Sequence, residues 1–157
     1  LKFKEFYDRN APVAEVLPQL AKDHPEFYGN IGIKELSDKM FQYLKENTPG
    51  ARLDAAFSSL PEQAMTPRDA YMEIVRDNIE LVPSDKLANR VAANSIIPYP
   101  PGIPMMMSGE RFGGDDSPQI GYLHALEAWD RQFPGFEHVT EGSDAIDGIY
   151  HVMCVKE

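Results

Sequence analysis

The chain has 157 residues, of which 43% are hydrophobic and 25% charged, and a formal net charge of −10. That is enough chain for one domain with a real core, in a composition that excludes wholesale disorder. The acidic balance works against binding phosphate backbones or anionic membranes and suits the attraction of cationic small molecules.

Residues 1–12 mix charged and aromatic side chains without a clear period. The chain opens on Leu1 rather than methionine, which is expected of a processed start or of a piece cut from something longer. It shows no signal peptide and no apolar run long enough to span a bilayer. Residues 13–23 suggest a short helix weakened by Pro18. Residues 31–47 read as a stronger one, with Ile33, Leu36, Met40, Phe41 and Leu44 at helical spacing. Asn47-Thr48-Pro49-Gly50 stops it. A further helix is expected over 52–60, ended by Pro61.

Thr66-Pro67-Arg68-Asp69 is a helix start. Thr66 can cap, Pro67 suits the first helical position, and Asp69 places negative charge at the positive end of the dipole. The helix then carries Ala70, Tyr71, Ile74 and Val75. Residues 79–82 read as a short strand or extended link. Ser84 is expected to cap another helix bearing Leu87, Val91 and Ala92.

Prolines 98, 100, 101 and 104 then crowd into seven positions. Each lacks a backbone donor and has a fixed φ, so the segment is neither helix nor central strand. Its apolar side chains make it a stiff strap rather than a linker. Gly113-Gly114-Asp115-Asp116 is a turn, its aspartates solvated, and Ser117-Pro118 again signals a helix start. That helix places Tyr122, Leu126, Trp129 and Phe133 on one face, with Trp129 expected to be buried. Phe133-Pro134-Gly135-Phe136 ends it. Strands are expected over 136–140 and 149–155, joined by a turn-rich stretch from Gly142 to Gly148. Helices early and strands late make the class α+β: several helices packed on a small, mostly antiparallel sheet, with the irregular strap.

Candidate chemistry is sparse. The one cysteine, Cys154, lies in an apolar run and reads as a small buried hydrophobe. His24, His124, His138 and His151 have no i, i+4 pairing, and no metalloprotease, nucleophile-elbow, P-loop or dinucleotide motif occurs. No metal site is expected. In Met105-Met106-Met107 alternate side chains share a face of an extended segment, so Met105 and Met107 are expected to point into the core. Glu110 stands apart because it follows Gly109 at the end of the rigid strap, with Arg111 beside it; it reads either as a charge presented by a stiff scaffold or as a structural salt bridge or exposed acid. No complete catalytic constellation is present.

The strap Pro98-Tyr99-Pro100-Pro101-Gly102-Ile103-Pro104, followed by Met107-Ser108-Gly109-Glu110, resembles a signature of the C-terminal domain of bacterial ornithine/lysine/arginine decarboxylases. These are large, fold-type-I, pyridoxal-phosphate-dependent enzymes. Leu60-Pro61, Met65-Thr66-Pro67-Arg68-Asp69-Ala70-Tyr71, Arg90-Val91-Ala92-Ala93-Asn94 and Phe133-Pro134-Gly135-Phe136-Glu137 resemble other family segments in the same order. The resemblance covers residues 35–157 as the C-terminal domain, with 1–34 as a lead-in segment. Ser108 departs from the family's common proline, which is expected to loosen the turn slightly.

The resemblance implies an accessory domain of a decarboxylase that converts lysine, arginine or ornithine to the amine plus CO₂. The family's cofactor lysine follows a histidine, and no His-Lys dipeptide occurs here. Pyridoxal phosphate would therefore be bound outside this chain, which alone would be inactive and contribute no catalytic residue. Glu110, Gly109, Arg111 and Tyr99 are expected at the substrate entrance. Implied partners are the preceding cofactor-binding domain, a cationic amino acid substrate and further copies in a cytoplasmic homo-oligomer. The competing readings are a stand-alone interaction or assembly module without catalytic activity, and a hydrolase using the scattered histidines and acids.

Overall fold

The computed structural model describes residues 2–99 and 101–157; Leu1 and the strap's Pro100 lie outside the described residues. The chain forms two compact units, one of residues up to Thr48 with Asp130–Glu137, the other of Pro49–Trp129 with His138–Glu157. Helices and small antiparallel sheets make the class α+β, in agreement with the sequence pattern. Among the described residues no helix is long and apolar enough to cross a membrane.

The first unit is helical. A helix, α1, runs over Lys2–Asp8, where the sequence shows no period. The single helix expected over 13–23 is two, α2 (Val13–Val16) and α3 (Pro18–Asp23). The break falls at Leu17 because a residue before proline is driven out of the helical region. A short α4 (Pro25–Tyr28) follows, and then α5 (Ile33–Asn47), which ends as expected at Thr48 in the left-handed conformation.

The cap of α5 comes from far upstream. Gly32 at its N-cap has no side chain to offer, and Asn10 Oδ1 accepts from the amides of Lys34 (3.0 Å) and Glu35 (3.2 Å). A Cβ on Gly32 would overlap the Asn10 side chain. Val13, Tyr28, Ile33, Leu36 and Phe133 are buried in this unit. Tyr28 Oη donates to the Pro134 carbonyl at 2.7 Å, and the Tyr28 ring meets Phe136 edge-on at 6.2 Å. Phe41 and Leu44, which share the helical spacing of the buried Ile33 and Leu36, are exposed.

In the second unit α6 (Pro49–Ser58) is followed by a two-residue strand β1 (Glu62–Gln63) and α7 (Pro67–Val75). Thr66 caps α7 as expected: its Oγ1 accepts from the Asp69 amide at 3.2 Å and donates to Asp69 Oδ2 at 2.7 Å. Strand β2 (Ile79–Pro83) leads into a single 3₁₀ turn at Ser84–Lys86, not the helix expected there. The Ser84 hydroxyl makes no cap. It donates to Glu127 Oε1 at 2.5 Å, and the same buried oxygen accepts from the Tyr150 amide at 2.9 Å.

Strands β3 (Ile97–Tyr99) and β4 (Glu110–Arg111) bracket the strap. The long helix α8 (Pro118–Gln132) opens after Ser117 as the sequence indicates. Three strands close the chain: β5 (Val139–Glu141), β6 (Ser143–Ile146) and β7 (Ile149–Val155). The stretch expected to be only a turn contains β6. It returns to β7 through Asp147-Gly148, both at positive φ (52° and 75°), as a tight hairpin requires. β7 is central in the sheet β2-β7-β6, its pairing with β2 running from Ile79↔Val155 to Pro83↔His151. Tyr150, Val152 and Cys154 alternate into a core shared with Leu87, Ile96, Met106, Phe112, Leu123 and Leu126.

Trp129, expected in this core, is only half-buried, with its ring edge-on to His138 at 5.7 Å. The full cost of losing a large aromatic therefore belongs to Phe112, which is wholly buried. Phe112→Ala is expected to lower stability by about 3–5 kcal/mol, and Trp129→Ala by less. Denaturant midpoints that rank the two the other way would refute this.

Burial pushes the Tyr28 hydroxyl up to about 12, with Glu137 adding to the effect, and the Cys154 thiol up to about 12; Tyr122 is raised by burial as well. The unfolded chain releases these protons near the ordinary values of 10 for tyrosine and 9 for cysteine. Because the folded values are raised, their stabilising contribution is complete below pH 9 and is lost as pH climbs through the folded values. Denaturant midpoints are expected to fall along an alkaline limb starting there. A midpoint unchanged at about pH 11 would contradict it.

Candidate functional site

The strap is tied at both ends. At its start β3 pairs antiparallel with β5, setting Ile97 opposite Glu141, Pro98 opposite Thr140 and Tyr99 opposite Val139. A proline fits here because the sheet has only two strands. At its end the Ile96 amide donates to the Met106 carbonyl at 2.9 Å, and the Met105 amide to the Ile96 carbonyl at 2.8 Å. Ile96, Pro98, Met105 and Met106 are buried at these roots. Between them the chain turns outward, and the Gly102 amide, at φ +76°, donates to the Pro98 carbonyl at 2.8 Å.

The methionine reading needs correction. Met105 is buried as expected, but Met106 is buried too and Met107 is 44% exposed. The segment is not a regular strand, so the alternation rule does not carry through it. Tyr99 (64%), Ile103 (56%) and Met107 are the large apolar side chains that the strap presents to solvent.

Gly109 is a junction. Its carbonyl accepts from the amides of Ala64 and Met65, both at 3.0 Å, and its amide donates to the Ala92 carbonyl at 2.7 Å. Its φ is +88°, and a Cβ there would overlap the Met65 carbonyl oxygen, so glycine is required. Next to it β4 pairs with β1, Glu62 opposite Arg111 and Gln63 opposite Glu110.

The four residues singled out from the sequence are placed as follows. Glu110 is half-buried, and its Oε2 accepts from the Met107 amide at 2.7 Å. Arg111 is also half-buried; its Nη1 donates to the Asn89 carbonyl at 2.8 Å and its Nε lies 3.4 Å from Glu62 Oε2. Gly109 is the buried junction. Tyr99 stands at the far side of the strap, its ring lying over Gly102. Glu110, Gly109 and Arg111 thus share one strand edge, and Tyr99 belongs to the projecting turn.

Sequence reasoning missed Ser95. Its Oγ accepts from the Ser108 amide at 3.2 Å. A proline at 108 could not make this bond, so the looseness expected of Ser108 is offset by a tie that proline lacks. Nothing local marks Ser95, because the partner lies across the loop.

The fit of a pyridoxal group can be tested directly. Its aldehyde needs a lysine held in a closed pocket beside a fixed anion partner. Lysines 2, 4, 22, 34, 39, 45, 86 and 156 are all exposed, so the residues present do not fit that group. The histidines do not gather either: His151 Nδ1 is bound to the Ile149 carbonyl at 3.0 Å, and His24 meets the Tyr28 ring at 6.2 Å. Among the described residues no three His, Cys, Asp or Glu side chains converge as a metal site. A groove of about 730 Å³ runs beside α5, lined by Asn10, Lys34, Asp38, Tyr43 and Phe133, and contains none of the four strap residues.

Comparison with known proteins matches the sequence resemblance. The family described as Orn/Lys/Arg decarboxylase, C-terminal domain, matches residues 50–156. The biodegradative arginine decarboxylase of Escherichia coli is 59% identical over 98% of this chain and 20% of its own length. Lysine decarboxylase LdcA of Pseudomonas aeruginosa is 38% identical over 100% of this chain and 21% of its own. The solved structure of the E. coli constitutive lysine decarboxylase superposes with a TM-score of 0.90 at 32% identity, over 99% of this chain and 22% of that one. The chain thus spans about a fifth of the length of these relatives. With the family matched over well more than half of its residues and the fold shared, the chain belongs to the Orn/Lys/Arg decarboxylase C-terminal domain family.

Proposed function

We propose that this chain is the C-terminal accessory domain of a pyridoxal-phosphate-dependent decarboxylase of a basic amino acid, which releases CO₂ and leaves the amine. The observation that carries the reading is the strap: rooted in the core at Ile96, Pro98 and Met106, yet presenting Tyr99, Ile103 and Met107 outward. A rigid apolar wall of this kind loses little entropy when another surface closes on it. In this reading it borders the substrate entrance, with Glu110, Gly109, Arg111 and Tyr99 at that border. The cofactor is held in the preceding domain, since no lysine of this chain suits it.

Among basic amino acids arginine is the substrate to test first. The relative named as an arginine decarboxylase is 59% identical, against 38% for a lysine decarboxylase and 30% for an ornithine decarboxylase. A cationic side chain would be drawn toward a domain of net charge −10. Residues 1–34 are read as a lead-in from the cofactor-bearing region; a seam there would fall in the first turn of α5. A homo-oligomer in the cytoplasm is part of the same reading and rests on the family resemblance.

The test is the full-length gene product with added pyridoxal phosphate. It is expected to release CO₂ from arginine faster than from lysine or ornithine, while residues 1–157 alone release none. Turnover by the isolated chain, or a full-length product without decarboxylase activity, would overturn the reading, the second in favour of an interaction or assembly module.

A further inference from the structure

Two side chains hold consecutive amides at the strap's far root. Glu110 Oε2 accepts from Met107 N at 2.7 Å, and Ser95 Oγ accepts from Ser108 N at 3.2 Å. The Glu110 amide returns a bond to the Met107 carbonyl at 3.1 Å, so residues 107 and 110 are linked in both directions. The carboxylate is therefore engaged by backbone. A steering charge acts through its sign at a distance and is screened by salt. A group that orders a backbone segment acts through an acceptor atom in the right place.

We infer that Glu110 is a positioning residue. With the Ser95 hydroxyl it sets the backbone course of residues 107–109, and through it the placement of Met107 and the projecting turn at the entrance. The inference rests on the reading above that the strap borders the substrate entrance, but it assigns Glu110 a role independent of its charge. Glutamine keeps an acceptor oxygen at the same reach and loses the charge; alanine loses both. Ser95→Ala removes the neighbouring acceptor.

The experiment is steady-state kinetics of the full-length decarboxylase across salt concentrations. Glu110→Gln, which keeps the acceptor oxygen, is expected to lose less kcat/KM than Glu110→Ala, by a factor that does not change with salt concentration. Glu110→Ala and Ser95→Ala are expected to raise KM, the former by about tenfold, with kcat little changed, the loss that goes with one backbone hydrogen bond. Equal losses in Glu110→Gln and Glu110→Ala that shrink at high salt would show a steering charge and overturn the inference. A lower melting temperature in Glu110→Ala with unchanged kinetics would reduce the residue to a structural role and equally overturn it. If Glu110→Ala does not fold, the comparison of Glu110→Gln with Ser95→Ala decides in the same terms. A double variant, Tyr99→Ala with Ile103→Ala, tests the underlying reading by itself. Parental kcat/KM there removes the entrance and the inference together, whereas altered kcat/KM there with matched losses at Glu110 removes the inference alone.

Discussion

The pairing of Ile96 with Met105 and Met106 is the constraint on which the strap depends. Three backbone bonds between these residues close the loop at its base, and their side chains are sunk in the core. Four prolines between them have already narrowed the unfolded ensemble, so closing the loop costs less than it would for a flexible chain. The outcome is an excursion whose ends cannot drift while its middle stays accessible. An apolar segment without those ties would collapse onto the nearest hydrophobic surface.

Around that base the second unit is organised by a few multi-valent backbone groups. The Gly109 carbonyl serves two amides and its own amide a third segment, so the stretches near 64, 92 and 110 converge on one residue. The buried oxygen of Glu127 likewise joins α8 to the 3₁₀ turn at Ser84 and to β7. Such junctions place short pieces of chain that have little regular structure of their own. They explain how two-residue strands such as β1 and β4 persist: each is held at its flanks as well as by the other.

Local signals were legible in the sequence and long-range ones were not. Thr66-Pro67-Asp69 and Ser117-Pro118 mark helix starts because capping is settled within four residues. Residues 79–82 were legible as a short strand or extended link and 149–155 as a strand, and both are strands, the first running on to Pro83. Ser84 misled because a capping serine looks like any serine whose partner, here Glu127, lies 43 positions away. Met106 and Met107 misled because a rule of two holds only in regular strands. Phe41 and Leu44 follow the helical period of α5 faithfully, yet periodicity says which residues share a face and not whether that face is covered within the same unit. For the candidate site, the strap and Glu110 stood out by composition. The carboxylate's backbone partner and the help from Ser95 are loop geometry, which no spacing encodes.

The long helix α5 begins under the authority of a residue that is not its neighbour. Asn10, held at φ 50°, supplies the acceptor for the first turn at Ile33–Glu35, and Gly32 must leave room for it. The stability of this helix start is thus tied to the ordering of a stretch two dozen positions earlier. A protease that clipped the chain just after Asn10 would free the start of α5 to fray without touching any residue of that helix.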